Sequence, residues 1–501
     1  MAATEAGPPT APGTVASVPP EPPPGPPPAF DYDGGDGDGE VKRSRKKPVL
    51  IGAAVAVVVA LVAGAAFTVL GGSDARPTWR SLTSSSVDSA PLPSPLRANG
   101  EPKVGETFES TASLVSYTDG QQVAYFESSF VVFGGDDDGF TLSRFTKGQD
   151  KPQQVDLDGT PTSVGAFGEL LLIQYSGSSS SPDSDSGFTT GTTTPRGRVA
   201  TDGSESARIE ARAVADLGAS PRWTLDDFAG VPSLWALSNE RLLVGDDGEW
   251  SMYGRDGNAV WKGKALDGSL ESATADRFYL TDSDANEVIG YTVSSGEKSG
   301  FRLDLSDDVD VEVAEVGGKV LVAASDDRGV VTAYPVGGGA KAWSASVARD
   351  DEISSLGWID NSVAVAVTDD MTYAFGVSDG AEKWTIKKTG LAILGTSTII
   401  GSDYSDDNQA KVSTFNPSDG ESRFDTVKVK GYVGSFGDGV IYGVNGENRK
   451  VSAYDLESGE ELWSWKVPEP ADDDASSAIV LEALDGEVFV LAGNEATRLY
   501  G

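Results

Sequence analysis

Three features of the sequence predict an all-β fold, an eight-bladed β-propeller set behind a membrane anchor. From about residue 105 onward, short β-rich runs alternate with tight polar turns. An aromatic residue closes each unit, at Trp223, Trp261, Phe301, Trp343, Trp384, Phe424 and Trp463, with spacings of 38, 40, 42, 41, 40 and 39 residues. Glycine, with 60 residues, and proline, with 27, are too abundant for a mainly helical body. Chance turns would drift, so a period this steady marks an internal repeat.

A forty-residue unit accommodates four strands of five to seven residues and four turns. In the unit ending near residue 347 the expected strands are 310–316, 319–324, 330–335 and 341–346, here named A to D. Alternation of apolar and polar residues shows in B and C. No stretch between units is long or apolar enough for a crossover helix, which excludes a βαβ fold. One four-stranded sheet cannot bury both of its faces. Radial packing of several such sheets solves that problem and leaves only short edges.

Units end near residues 158, 227, 266, 305, 347, 387, 427 and 467, and 478–500 supplies a further A, B and C without a D. Read literally this is nine. Eight is favoured over seven or nine, because the first copy has no tryptophan in its D strand and is expected to merge with the tail, residues 107–117 supplying the missing strand. The second unit carries an insertion at 176–206, rich in Ser, Gly and Thr. Trp223, Trp261, Trp343, Trp384 and Trp463 are expected to be structural, each ring filling the widening gap between neighbouring sheets.

The N-terminal region has a different composition. Residues 1–48 read as a disordered cytoplasmic tail, proline-rich at first, then acidic and glycine-rich, ending in the basic block Lys42, Arg43, Arg45, Lys46 and Lys47. Residues 49–70 carry no charge, and a helix of that length reaches about 33 Å, enough for a hydrocarbon core of ~30 Å. The basic flank places the N-terminus in the cytoplasm and residues 71–104, a Ser/Pro-rich stalk, outside with the propeller, 105–501.

Cysteine and histidine are absent, which excludes disulfides, thiolate nucleophiles and every triad with a histidine base. A formal charge of −38 argues against nucleic acid as a partner. Lysine, carboxylate and hydroxyl chemistry remain open.

The repeat, with Tyr454, Asp455, Gly459 and Trp463 as its clearest copy, resembles that of the pyrroloquinoline-quinone-like β-propellers, a group that includes quinoprotein alcohol dehydrogenases and the BamB-like assembly lipoproteins. The tail, basic block, span and head together look like membrane-anchored proteins of actinobacterial type. The dehydrogenases hold their quinone above a vicinal cysteine pair, which this chain lacks. The resemblance therefore implies a non-catalytic envelope scaffold that binds protein or ligand. A quinoprotein-like oxidoreductase and a ligand-sensing ectodomain are the alternatives, and no cofactor or catalytic residue is assigned.

In a four-stranded blade the B–C and D–A connections share one face. On it the sequence places Asp246, Asp247, Asp307, Asp308, Asp326, Asp327, Asp350, Asp351, Asp369, Asp370, Asp406 and Asp407. The C–D turns are mixed, with Lys147, Lys151, Arg255, Lys298, Lys341 and Lys383 at or beside them. An acidic mouth of this kind suits a basic protein segment or a cation. Equally, aspartate is favoured in tight turns for its own side-chain bonds. Asp136 with Asp138, and Asp282 with Asp284, resemble calcium loops but lack the closing glutamate.

Overall fold

The computed structural model describes residues 78–81, 90–91, 94–98, 100–110, 114, 123–136, 139–159, 161–176, 207–228, 231–266, 268–282, 285–305, 311–324, 329–347, 352–368, 371–387, 391–394, 398–405, 409–423, 427–469 and 479–501. These residues form nine antiparallel sheets, covering 123–157, 161–228, 233–265, 269–304, 311–346, 353–386, 391–430, 432–466 and 479–500. In each, strands follow one another in chain order. The first strands of neighbouring blades approach one another, which identifies A as the innermost strand. The fifth blade runs Val311–Val316, Lys319–Ala324, Val330–Pro335 and Trp343–Ser346.

The core is divided in the same way. Among the described residues it consists of nine apolar clusters, one in each gap between successive blades, and one of them joins the ninth blade to the first. That last cluster sets Phe130 and Phe145 of the first blade against Phe489 of the ninth, each with its ring centroid 5.4 Å from that of Phe489. The count is therefore nine, which corrects the expectation of eight. The first copy is a complete sheet, Val123–Phe126, Ser129–Asp136, Gly139–Thr146 and Gln153–Leu157.

The ninth blade takes its fourth strand from the other end of the chain. Ile479–Leu484, Glu487–Ala492 and Glu495–Tyr500 are joined by Lys103–Val104 and Phe108–Glu109, both paired to the last of them. Between these two short ladders the Gly105 N–H donates to the Arg498 carbonyl at 2.8 Å. Within 71–104, Thr78–Ser81 pairs with Leu391–Leu394 on the inner edge of the seventh blade, and Ala90–Pro91 pairs with Thr78–Trp79.

The membrane expectation is corrected too. Among the described residues no helix is long and apolar enough to cross a membrane; the one helix there is a single 3-10 turn, Val214–Asp216. Segment 49–70 lies outside the described residues, as do 1–48. The single-pass topology, the membrane as partner and the cytoplasmic and extracytoplasmic placements are accordingly withdrawn.

The repeated tryptophans join one blade to the next. Trp223, Trp261, Trp343 and Trp384 donate from Nε1 to the carbonyls of Arg255, Val293, Val377 and Pro417, each at 2.9 Å and each in the next blade's C–D turn. That turn needs a glycine for two reasons. Gly380 has φ +69°, and a Cβ built on it would stand 2.6 Å from the Trp343 ring. Gly257 and Gly420 lie against Trp223 and Trp384 in the same way. Phe301 keeps the packing but has no donor.

Trp463 is the informative exception. The ninth blade's fourth strand comes from residues 103–109, so no C–D turn faces this indole, and Nε1 donates at 2.7 Å to the carbonyl of Leu96. The Leu96 N–H in turn donates to the Tyr442 hydroxyl at 3.0 Å. Residues 94–98 thus occupy the place that a turn fills elsewhere.

Replacing Trp343 with alanine is expected to cost about 3–5 kcal/mol by denaturant titration, from lost packing and an unpaired carbonyl. Gly380→Ala is expected to cost about 1–3 kcal/mol through strain and overlap, although it adds only one methyl group.

Candidate functional site

Two sets of ionisable groups are positioned by this architecture: those in the turns at the two ends of the blades, and those on the inner strands. At the B–C end, Asp246 and Glu249 flank a two-residue turn in which Asp247 has φ +45° and Gly248 φ +77°. Positive φ at both centres is the type I′ hairpin geometry that favours Asp-Gly, so Asp247 has a conformational reason to be there. Asp282 accepts the Ala285 N–H at 2.9 Å and caps its own turn.

Asp136 ends a strand and its side chain lies outside the described residues, together with Asp138 and Asp284. The same holds for Asp307, Asp308, Asp326, Asp327, Asp350, Asp351, Asp369, Asp370, Asp406 and Asp407. Among the described residues no three acidic side chains stand where they would hold a metal ion.

The opposite end is acidic as well, through Glu127, Glu169, Glu240, Asp276, Asp438 and Asp485 in the A–B turns. There part of the charge is answered from neighbouring segments. Arg255 reaches Glu169 at 2.9 Å and Glu240 at 3.8 Å, Lys147 reaches Asp485 at 4.0 Å, and Arg97 reaches Asp455 at 3.6 Å. These cations sit in C–D turns or in the N-terminal strap, so one end of the propeller carries part of its own neutralisation.

The inner strands hold carboxyls that a turn-based reading of the sequence passes over. Glu312, in the fifth blade's A strand, is pushed up to about 7, by burial first and the Glu271 carboxylate second, against a hydrogen bond from the Leu356 N–H. It thus ties the A strands of the fifth and sixth blades, beside a like charge from the fourth. Glu482, 1% exposed in the ninth blade's A strand, is pushed up to about 8 by burial and accepts the Tyr125 hydroxyl at 2.5 Å. Glu315 takes the bidentate Arg277 guanidinium at 2.5 and 3.0 Å and the Tyr279 hydroxyl at 2.6 Å. Burial and that carboxylate hold the Tyr279 hydroxyl well above the ordinary phenol range. The signal for all three was a glutamate within an otherwise apolar innermost strand, as in Val311-Glu-Val-Ala-Glu-Val316 and Ile479-Val-Leu-Glu-Ala-Leu484.

A groove of about 760 Å³ runs along the outer strand of the eighth blade, where the strap passes. Glu101, Asn448, Lys450, Glu461, Trp463 and Lys466 line it, and Lys450 pairs with Glu461 at 3.2 Å. Its charges are balanced, unlike those of the turns.

Fold and site define a nine-bladed β-propeller with acidic ends and inner carboxyls. No protein-family model matches the chain, and no curated protein matches it. Solved structures do. BamB from Moraxella catarrhalis has 14% identity and a TM-score of 0.38, covering 80% of this chain and 100% of that one. Sqt1 from Saccharomyces cerevisiae has 12% identity and a TM-score of 0.42, with 79% and 98% covered. Quinohemoprotein alcohol dehydrogenase from Comamonas testosteroni has 9% identity and a TM-score of 0.36, with 68% and 74% covered. These likenesses concern the fold alone. The expected resemblance is corrected to that level: a multi-bladed propeller like those of BamB and of the C-terminal WD40 domain of Sif2, with nothing to support a membrane-anchored or actinobacterial type.

The Glu312 carboxyl has its folded value raised above the ordinary 4.5, so its neutral form is the one the fold favours. Its contribution is fully present below about pH 4.5, declines as pH rises to about 7, and is level beyond. Glu312→Gln should match the unsubstituted protein at pH 4.5 and exceed it in melting temperature at pH 8, by thermal scans at constant ionic strength.

Proposed function

We propose that the protein is a non-catalytic scaffold that binds a positively charged protein segment on the face formed by its B–C and D–A turns. What supports this is the run of paired aspartates that the sequence sets in the connections of that face. Ion pairs from Arg255, Lys147 and Arg97 answer the acidic turns of the A–B and C–D end. The other end carries paired aspartates in the B–C connections of the fifth, sixth and seventh blades, with Arg328 as the only basic residue among these three. Such a field draws in cationic partners and is screened over about 10 Å at 0.1 M salt. Where binding depends on summed charge, affinity falls steeply with salt. A non-catalytic role agrees with a chain that lacks histidine and cysteine, the usual bases and nucleophiles.

The test is titration calorimetry with a lysine-rich peptide at two salt concentrations. Replacing Asp326, Asp327, Asp369, Asp370, Asp406 and Asp407 with asparagine should weaken binding by roughly tenfold or more at low salt. Neutralising Glu127, Glu169, Glu240 and Asp276 instead should leave it within about twofold. Equal effects from the two sets, or no heat with either protein, would remove this reading.

A further inference from the structure

The joint between the ninth blade and the first differs from the indole joints of the ring. Its outer strand is the two-part strap, and the residue that meets the first blade's C–D turn is Gly105, whose added Cβ would stand 2.3 Å from the Asp150 carboxylate. No indole donates across it among the described residues. Ionisable groups take its place. Arg498 reaches Asp150 at 2.6 Å and Glu487 at 3.0 Å, and Glu487 accepts the Gly148 N–H at 2.9 Å. Further in, on the two A strands, the Tyr125 hydroxyl meets the Glu482 carboxyl.

The ninth blade's outer strand is also interrupted, paired to the third strand by two ladders of two residues each. Every other blade's C and D strands are consecutive in the chain, whereas here the partners lie about 390 residues apart. Opening it therefore requires no turn to unfold.

We infer that the joint is a proton-operated latch: the ring is held closed while Glu482 keeps its proton and loosens when that proton is lost. A neutral carboxyl rests in this apolar gap, among Phe130, Leu484 and Phe489, at little cost. Among the described residues a carboxylate there has only the Tyr125 hydroxyl to stabilise it, and opening the joint would return it to water. The charged groups on the elements packed around it are already paired with one another: Lys147 with Asp485, and Arg498 with Asp150 and Glu487. On the eighth blade's A strand the facing ionisable group is Tyr432, which donates to the Ile479 carbonyl. None of these supplies a cation to Glu482. Its raised affinity for the proton makes opening progressively easier as pH rises from about 4.5 to about 8, and level beyond.

The chain has no cysteine, so a single introduced thiol reports opening without background. Ala496, 1% exposed, lies in the ninth blade beneath Phe108 of the strap, while Ala333, fully buried, sits in the fifth blade opposite Trp343. Labelling of Ala496→Cys, corrected for thiolate fraction, should rise on the order of tenfold between pH 6 and pH 8, while Ala333→Cys stays flat. Adding Glu482→Gln should abolish the rise, and adding Asp150→Asn should raise labelling at every pH without changing the slope. If either cysteine variant fails to fold, hydrogen exchange at the Gly105 and Ser110 amides of the unsubstituted protein replaces it, referenced to the fifth blade's strands. Parallel behaviour of the two blades, or a pH response that survives Glu482→Gln, would overturn the latch.

Discussion

An indole from one sheet lying on a glycine turn of the next, with its N–H on that turn's carbonyl, is the contact that the whole ring depends on. Each blade has only four strands and cannot bury both faces, so it is stable only when clamped on both sides. The apolar clusters in the gaps supply most of the driving force, but apolar contact alone does not fix register. The Nε1 bond does, because a buried donor without a partner is costly. Trp343, Trp384 and Trp463 are all buried, and their partners stand 2.7–2.9 Å away. The turn glycine follows from the same contact, since any Cβ would occupy the place of the ring.

Where that contact fails, the molecule uses something else. Phe301 fills its gap without a donor, and the neighbouring sheets compensate with Arg277 and Tyr279 on Glu315. At the ring closure the strap restores the indole's acceptor through Leu96 but offers only Gly105 to the first blade. Charge and buried polar pairs then carry the joint. Contacts of that kind respond to protons and salt in a way that indole packing does not. A closed ring also leaves no blade without a neighbour, which limits the exposed sheet edge to the short outer strands.

The candidate functional groups separate in the same manner. Turn aspartates such as Asp247 and Asp282 serve the backbone around them, which explains their number without reference to any partner. At the A–B and C–D end, Arg255, Lys147 and Arg97 pair with acidic turns, and at the other end Arg302 pairs with Glu287 and Asp304. The inner glutamates belong to neither end. They face gaps between blades, and the fold shifts their affinity for protons by keeping them from water.

The forty-residue period, the order of strands within each unit and the position of the closing aromatics other than Phe424, which lies outside the described residues, were all legible in the sequence. They are local: alternation and turn chemistry decide them within a few residues, and the fifth blade's strands fall within two residues of the reading. The blade number was not legible, because it turns on whether residues 103–109 complete a sheet begun at residue 479 or a first copy lacking its tryptophan completes one of its own. Only the folded ring brings those segments together, and both prove to be true. The ion pairs across the A–B and C–D end and the raised proton affinity of Glu482 were likewise beyond the sequence. Each depends on which side chains from distant blades come within reach and how much water they exclude, and neither distance nor burial is written along the chain.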